Sequence, residues 1–193
     1  MYLRDSDYKK FGFSKFLTLD STPAIAHSDP IDNSPVSSDA STYQNILDEV
    51  NGDTDHPQFI QLVTMQNHMP YNNWYENNEF TAESTDPSKP LGRDETESIQ
   101  TYAKGAELTD QATRKFLDDL DKLDKPVTVV FYGDHLPGIY ETASSDTGNS
   151  LDQHLTDYFI WSNQASNSAG VKLDGNASNY ASSNFFMAMA AEH

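Results

Sequence analysis

From about Glu95 to Leu123 the chain carries Ile99, Tyr102, Ala106, Thr109, Thr113, Phe116, Leu120 and Leu123 at intervals of three or four positions. That is the period of an amphipathic helix, and no other pattern in the chain constrains the fold as strongly. Asp124-Lys125-Pro126 closes the helix, because proline cannot continue the ladder. Pro126–Tyr132 then reads as a buried strand, rich in valine and aromatic residues. A helix that feeds directly into a strand is half of a crossover unit. The expected architecture is therefore α/β, with a largely parallel sheet flanked by helices.

The rest of the chain supplies further elements. Tyr2–Leu17 reads as a short amphipathic segment running into a strand, with Tyr8, Phe11, Phe13, Phe16 and Leu17 as core surface. Thr18–Ser41 is polar and Pro-containing, hence a surface loop. Thr42–Val50 predicts a helix with Ile46, Leu47 and Val50 on one side, stopped by Asn51-Gly52. Phe59–Met65 has the length and β-branched content of a second buried strand, and the segment from there to Asp94 is Asn- and Glu-rich with embedded Trp74, Tyr75 and Phe80. So long an excursion predicts a lid or binding loop, or a disordered segment. Tyr158–Trp161 is a third apolar run, and Asn184–Ala191 a helical pattern that stops at His193. Residues 1–193 are expected to form one domain, and the pattern that stops inside an apparent helix predicts a piece of a longer protein.

Composition narrows the chemistry. Cysteine is absent, so thiolate nucleophiles and Cys-bound metals are excluded, and any metal must use His, carboxylate or hydroxyl ligands. The formal charge of −18 disfavours nucleic acid or an anionic membrane as a partner of the bulk surface. Arg4, Lys9, Lys10 and Lys15 hold four of the twelve basic residues, either as a local anion-facing patch or as a solvated helix face. No run approaches the roughly 20 apolar residues of a membrane span, and no signal-peptide pattern is present.

Ligands of open α/β sheets bind beyond the carboxyl ends of the strands. Two of the expected strands deliver chemistry there: His68 just past Met65, and Asp134 and His135 just past Tyr132. Gly133 is expected to let the backbone turn sharply, so that the adjacent Asp134 and His135 converge on one ion. A carboxylate with a neutral imidazole suits Mn²⁺ or Zn²⁺, although a structural hydrogen-bonded pair gives the same pattern. His27, His56, His154 and His193 read as exposed residues without a role. His154 lies closest in sequence after the turn and could swing toward the same edge.

Met65-Gln66-Asn67-His68-Met69-Pro70-Tyr71 and Phe131-Tyr132-Gly133-Asp134-His135 resemble, in order and separation, the paired signatures of lipoteichoic acid synthases and related phosphoglycerol transferases. Tyr2-Leu3-Arg4-Asp5, Tyr8 and Phe11-Gly12-Phe13-Ser14-Lys15-Phe16 are similar to that family's Trp-Asn-Arg-Asp stretch and its aromatic-Gly-aromatic-Asp-Lys-Phe run. The resemblance implies an alkaline-phosphatase-like, sulfatase-like domain, membrane-anchored in the full-length protein, on the extracellular face of a Gram-positive cell membrane. Such enzymes take glycerol phosphate from phosphatidylglycerol through a phosphorylated threonine and pass it to a growing glycerol phosphate polymer. It further implies Asp134 and His135 as metal ligands, for Mn²⁺ first and Mg²⁺ or Zn²⁺ as alternatives. His68, Arg4 and Tyr2 would contact the phosphate or glycerol, with the Arg4 guanidinium as a planar fork on the phosphate.

The departures from the family matter too. Tyr2 stands where the family has Trp, and Met69 where it usually has Phe. The family's nucleophilic threonine and another acidic ligand lie upstream of the Arg-Asp segment, which here begins at residue 2. Thr18, Thr22 and Thr42 have no matching context, so no nucleophile is assigned. The expectation is a carboxyl-side portion of an incomplete sulfatase-like domain, binding metal weakly and turning over little by itself. A sulfatase or phosphoethanolamine transferase would use the same metal edge. A non-catalytic module whose Tyr71, Trp74 and Tyr75 stack on wall sugars is the alternative of a different class.

Overall fold

The computed structural model describes residues 4–52, 56–144, 148, 151–168, 170 and 180–192. Its helices are α1 (Arg4–Lys10), α2 (Asp39–Asn51), α3 (Arg93–Leu120), α4 (Glu141–Ser144) and α5 (Phe186–Glu192), and its strands are β1 (Thr128–Tyr132) and β2 (Tyr158–Ser162). The helix expected from Glu95 thus begins two residues earlier and ends at Leu120, after which turns carry the chain to β1. Helix α2 starts before the expected Thr42 because Ser38 caps it. Its hydroxyl accepts from the Ser41 N–H at 3.1 Å and donates to the Asp29 carbonyl at 2.8 Å, fastening the preceding loop as well. Such a cap contributes about 1 kcal/mol.

Helices α2 and α3 pack on each other through Tyr43, Leu47, Phe116 and Leu120, which form the buried core. The rings of Tyr43 and Phe116 stack at 4.6 Å, and the Tyr43 hydroxyl meets Thr113 Oγ1 at 3.0 Å. Val127, Val129 and Trp161 pack against the same cluster, so the core also holds the ladder in place. Asn163 fixes the join between helix and sheet. Only 2% exposed, it accepts from the Val127 N–H at 2.9 Å and donates to the Leu120 and Lys125 carbonyls at 3.2 and 2.9 Å.

Strands β1 and β2 pair antiparallel in the register Thr128↔Ser162 to Tyr132↔Tyr158, with Phe131 stacked on Phe159 at 5.0 Å. Phe186 of α5 covers the far end, against Tyr132 and Tyr158. The expectation of a largely parallel sheet is corrected for this pair. The chain between β1 and β2 is long enough for a crossover, but among its described residues it holds only short helical turns and no helix of crossover length.

Two further strand expectations are corrected. Phe59–Met65 belongs to no ladder, and the backbone groups of residues 59–64 find no hydrogen-bond partner among the described residues. Phe59 is 60% exposed, so an apolar β-rich run was legible while its sheet neighbour was not. After α1 the chain turns at Phe11-Gly12, where Gly12 has φ +90°, and forms no strand. Its aromatics cluster locally, Tyr8 on Phe13 and Phe16, and Phe13 on Phe59. Phe11 and Leu17, read as core, are exposed.

Candidate active site

Beyond β1 the ladder is extended by two bonds around Gly133. Its N–H donates to the Asp157 carbonyl at 3.2 Å, and Thr156 Oγ1 donates to the Gly133 carbonyl at 2.7 Å. A Cβ at residue 133 would stand 3.2 Å from Thr156 Cβ, so glycine here eases a close approach of the two segments rather than serving a left-handed turn. The sharp-turn reading of Gly133 is replaced by this packing one.

The next two side chains project into solvent, Asp134 73% and His135 71% exposed, with Oδ2 and Nε2 3.9 Å apart. That is just beyond the roughly 3 to 3.5 Å separating two ligands held at about 2.1 Å from one ion. The His135 N–H donates to Asp134 Oδ1 at 3.0 Å, which fixes the carboxylate. His135 Nδ1 lies 2.8 Å from the Leu136 carbonyl, a contact only a protonated Nδ1 can make, so the lone pair of the neutral ring is on Nε2. The pair therefore fits as two ligands of a divalent ion with one orienting contact supplied. Among the described residues no group of three or more His, Asp or Glu completes a metal site.

His68 repeats the device. Its N–H closes a turn onto the Met65 carbonyl at 3.0 Å, and its Nδ1 lies 2.7 Å from the Met69 carbonyl, again leaving Nε2 outward. The two loops are neighbours, since the Met69 methyl comes within 3.6 Å of where a Cβ of Gly138 would stand. Arg4 is exposed at the start of α1 and has no ion-pair or hydrogen-bond partner among the described residues, so no contact draws it to His68. Tyr2 and His193 lie outside the described residues. His27 has a structural part, with Nε2 2.9 Å from Asp48 Oδ2. His154 ends the short 3-10 turn Asp152–His154, just before the Thr156 and Asp157 that bond Gly133.

Sequence reasoning missed the support beneath His68. Thr109 of α3 donates to Asp39 Oδ2 at 2.6 Å and accepts from Gln66 Nε2 at 3.0 Å and Asn67 Nδ2 at 2.8 Å, saturating one hydroxyl. Gln66 also accepts from the Asp39 N–H and donates to the Gly105 carbonyl. Burial pushes the Asp39 carboxyl above its ordinary range, against hydrogen bonds that pull it down. The available signal was the run Thr101, Gly105, Thr109, Thr113, small residues every four positions on the buried face of α3.

The aromatic loop after His68 is turned inward. The Tyr71 hydroxyl donates to the Asn67 carbonyl at 2.7 Å and Trp74 Nε1 to that of Pro70 at 2.9 Å, while Tyr71 and Tyr75 are buried. Burial pushes both tyrosines up to about 12. The buried Tyr71 and Tyr75 rings scaffold the His68 turn and are withheld from sugar stacking, while Trp74 is half-buried. Glu95, at the start of α3, accepts from the Thr142 N–H and hydroxyl at 2.9 and 2.6 Å, tying α4 to α3; those bonds hold its carboxyl below the usual range.

A sequence model of the family described as Sulfatase matches residues 1–193. The chain is 28% identical over 175 residues to a putative cyclic beta-1,2-glucan modification protein of Rhizobium meliloti, covering 83% of this chain and 26% of that one. It is 31% identical over 160 residues to the capsular polysaccharide biosynthesis protein RkpI of the same organism, covering 82% of this chain and 25% of the relative. The fold is similar to that of Streptococcus pyogenes phosphoglycerol transferase GacH in complex with sn-glycerol-1-phosphate, with a TM-score of 0.79 and 34% identity across 98% of this chain and 46% of that one. The chain thus spans about a quarter of the length of the curated relatives it matches.

Proposed function

Because the chain belongs to the sulfatase family, we propose that it is part of a metal-dependent phosphoglycerol transferase, moving glycerol phosphate from a phosphatidylglycerol-type lipid to a cell-envelope polymer. The observation that carries this reading is the likeness, along nearly the whole chain, to a phosphoglycerol transferase solved with glycerol phosphate. The relatives named for glucan modification and capsular polysaccharide biosynthesis favour a glycan-bearing acceptor over a sulfate ester. The full-length protein would work on the outer face of the cell membrane, held by an anchor; no helix among the described residues is long and apolar enough to cross a membrane.

Asp134 and His135 would hold the ion, Mn²⁺ first, completed by ligands from elsewhere in the protein. Bound there, the ion neutralises charge on the transferring phosphoryl group. His68 keeps Nε2 clear of the Met69 contact: neutral, it would accept from a glycerol hydroxyl, and protonated, it would donate to a phosphate oxygen. Arg4, whose guanidinium is open to solvent, would grip the remaining oxygens with Tyr2 beside it.

Headgroup choice tests the assignment. The full-length protein with Mn²⁺ should release diacylglycerol from phosphatidylglycerol vesicles, and release far less from phosphatidylethanolamine. Turnover of an aryl sulfate alone, with no diacylglycerol, would place the protein among the sulfatases proper.

A further inference from the structure

Away from the Asp134–His135 turn, two adjoining hollows of about 310 and 500 Å³ share Asn73. Their walls carry Asn33, Asn73 and Asn77 on one side and Arg93, Glu97 and Gln100 of α3 on the other. The surrounding backbone is fixed from several segments. Asp32 Oδ2 accepts from the Glu76 N–H at 2.8 Å, the Asn33 N–H donates to the Trp74 carbonyl at 3.1 Å, the Asn73 N–H to Thr101 Oγ1 at 3.1 Å, and Asn78 Nδ2 to the Gln100 carbonyl at 3.0 Å. None of these bonds uses the six wall side chains, which have no hydrogen-bond or ion-pair partner among the described residues.

Backbone strain is concentrated at the same place. Asp32, Asn73 and Asn77 have φ of 48°, 53° and 53°, three of the four described non-glycine residues in the left-handed region. Such strain persists where surrounding structure over-determines it, and the Asp32 and Asn73 bonds supply that constraint. The groove thus sets planar amides, each able to pair a donor and an acceptor with vicinal hydroxyls, on a fixed backbone, beside the Arg93 guanidinium that donates and the Glu76 and Glu97 carboxylates that accept.

The chemistry selects the ligand. Amide walls give an apolar ligand nothing, and Glu76 and Glu97 outweigh Arg93 in a chain of net charge −18, which disfavours an anion. We propose that the groove between Asn73 and Gln100 binds a neutral, hydroxyl-rich oligosaccharide. Short links of chain connect it to the candidate active site: Asn73 follows His68 by five residues, and Glu95, two residues after Arg93, accepts from Thr142, seven residues after His135. Use of the groove as an acceptor site rests on the transferase reading, while the binding itself does not.

Calorimetric titration of the full-length protein with linear neutral oligosaccharides of glucose, galactose and N-acetylglucosamine tests it. Saturable binding to one of them is expected. Arg93→Ala, Gln100→Ala and Asn77→Gly, the last keeping the left-handed backbone available, should each weaken it about fivefold or more, as loss of a hydrogen-bonding group does. Asp134→Ala should leave it within about twofold, and all four variants should melt with the parent protein. Diacylglycerol release measured on the same samples separates the two readings, since its failure leaves sugar binding intact. No saturable binding to any of the oligosaccharides, binding that no groove variant weakens, or binding that Asp134→Ala weakens equally overturns the proposal.

Discussion

A methyl group on residue 105 would lie 2.3 Å from Asn67 Oδ1 and 3.2 Å from the Tyr75 hydroxyl, so any side chain on α3 there must displace Asn67, next to His68. Gly105→Ala should therefore push Asn67 outward, costing about 1–3 kcal/mol in a denaturant melt, and lower transfer activity through the displaced His68. The Asp39 carboxyl beneath that turn is raised by burial, so the folded chain holds its proton more tightly than the unfolded one. Its contribution to stability is full below about pH 3.9, the ordinary aspartate value, and is lost as pH rises through the folded value. Asp39→Asn, which keeps an acceptor for Thr109, should flatten that part of the stability–pH profile and leave the chain at least as stable at neutral pH. At this scale the sequence displayed His68, Asp134 and His135 because they follow apolar runs. Asp39 was hidden, because its burial comes from α3, seventy residues away at Thr109.

Helices were legible and strand partners were not, for a physical reason. A 3.6-residue period states which face of α3 is covered, and of the cover on α2 it showed Leu47, with Ile46 and Val50 partly buried beside it, but not Tyr43. A run such as Phe59–Met65 states only that it would suit a sheet, and pairing depends on a neighbour the run does not encode. The antiparallel direction of β2 is likewise not written in either strand's own apolar run. Asn163 holds that arrangement by bonding the end of α3, the following turn and the start of β1 at once. Asn163→Ala would leave the Leu123 and Lys125 carbonyls without their partner, while the Val127 N–H keeps Ser166 Oγ at 3.2 Å and the Leu120 carbonyl keeps the Leu123 N–H. A loss of about 1–3 kcal/mol is expected from urea unfolding. A change under half a kcal/mol would show that water replaces these bonds without cost.

For the whole molecule, the sulfatase family assignment and the likeness to GacH agree with the motif pair, while among the described residues no group of three or more His, Asp or Glu stands together. An acidic chain can still handle an anionic headgroup if an ion at Asp134 and His135 cancels its charge, and this is the account's central claim. The most direct measurement is diacylglycerol release from phosphatidylglycerol vesicles by the full-length protein, with Mn²⁺ or with chelator, for the parent and for Asp134→Ala. The account predicts Mn²⁺-dependent release that falls roughly 100-fold or more in the variant while its melting temperature is kept. Release that persists in chelator, or that Asp134→Ala leaves unchanged, would contradict it.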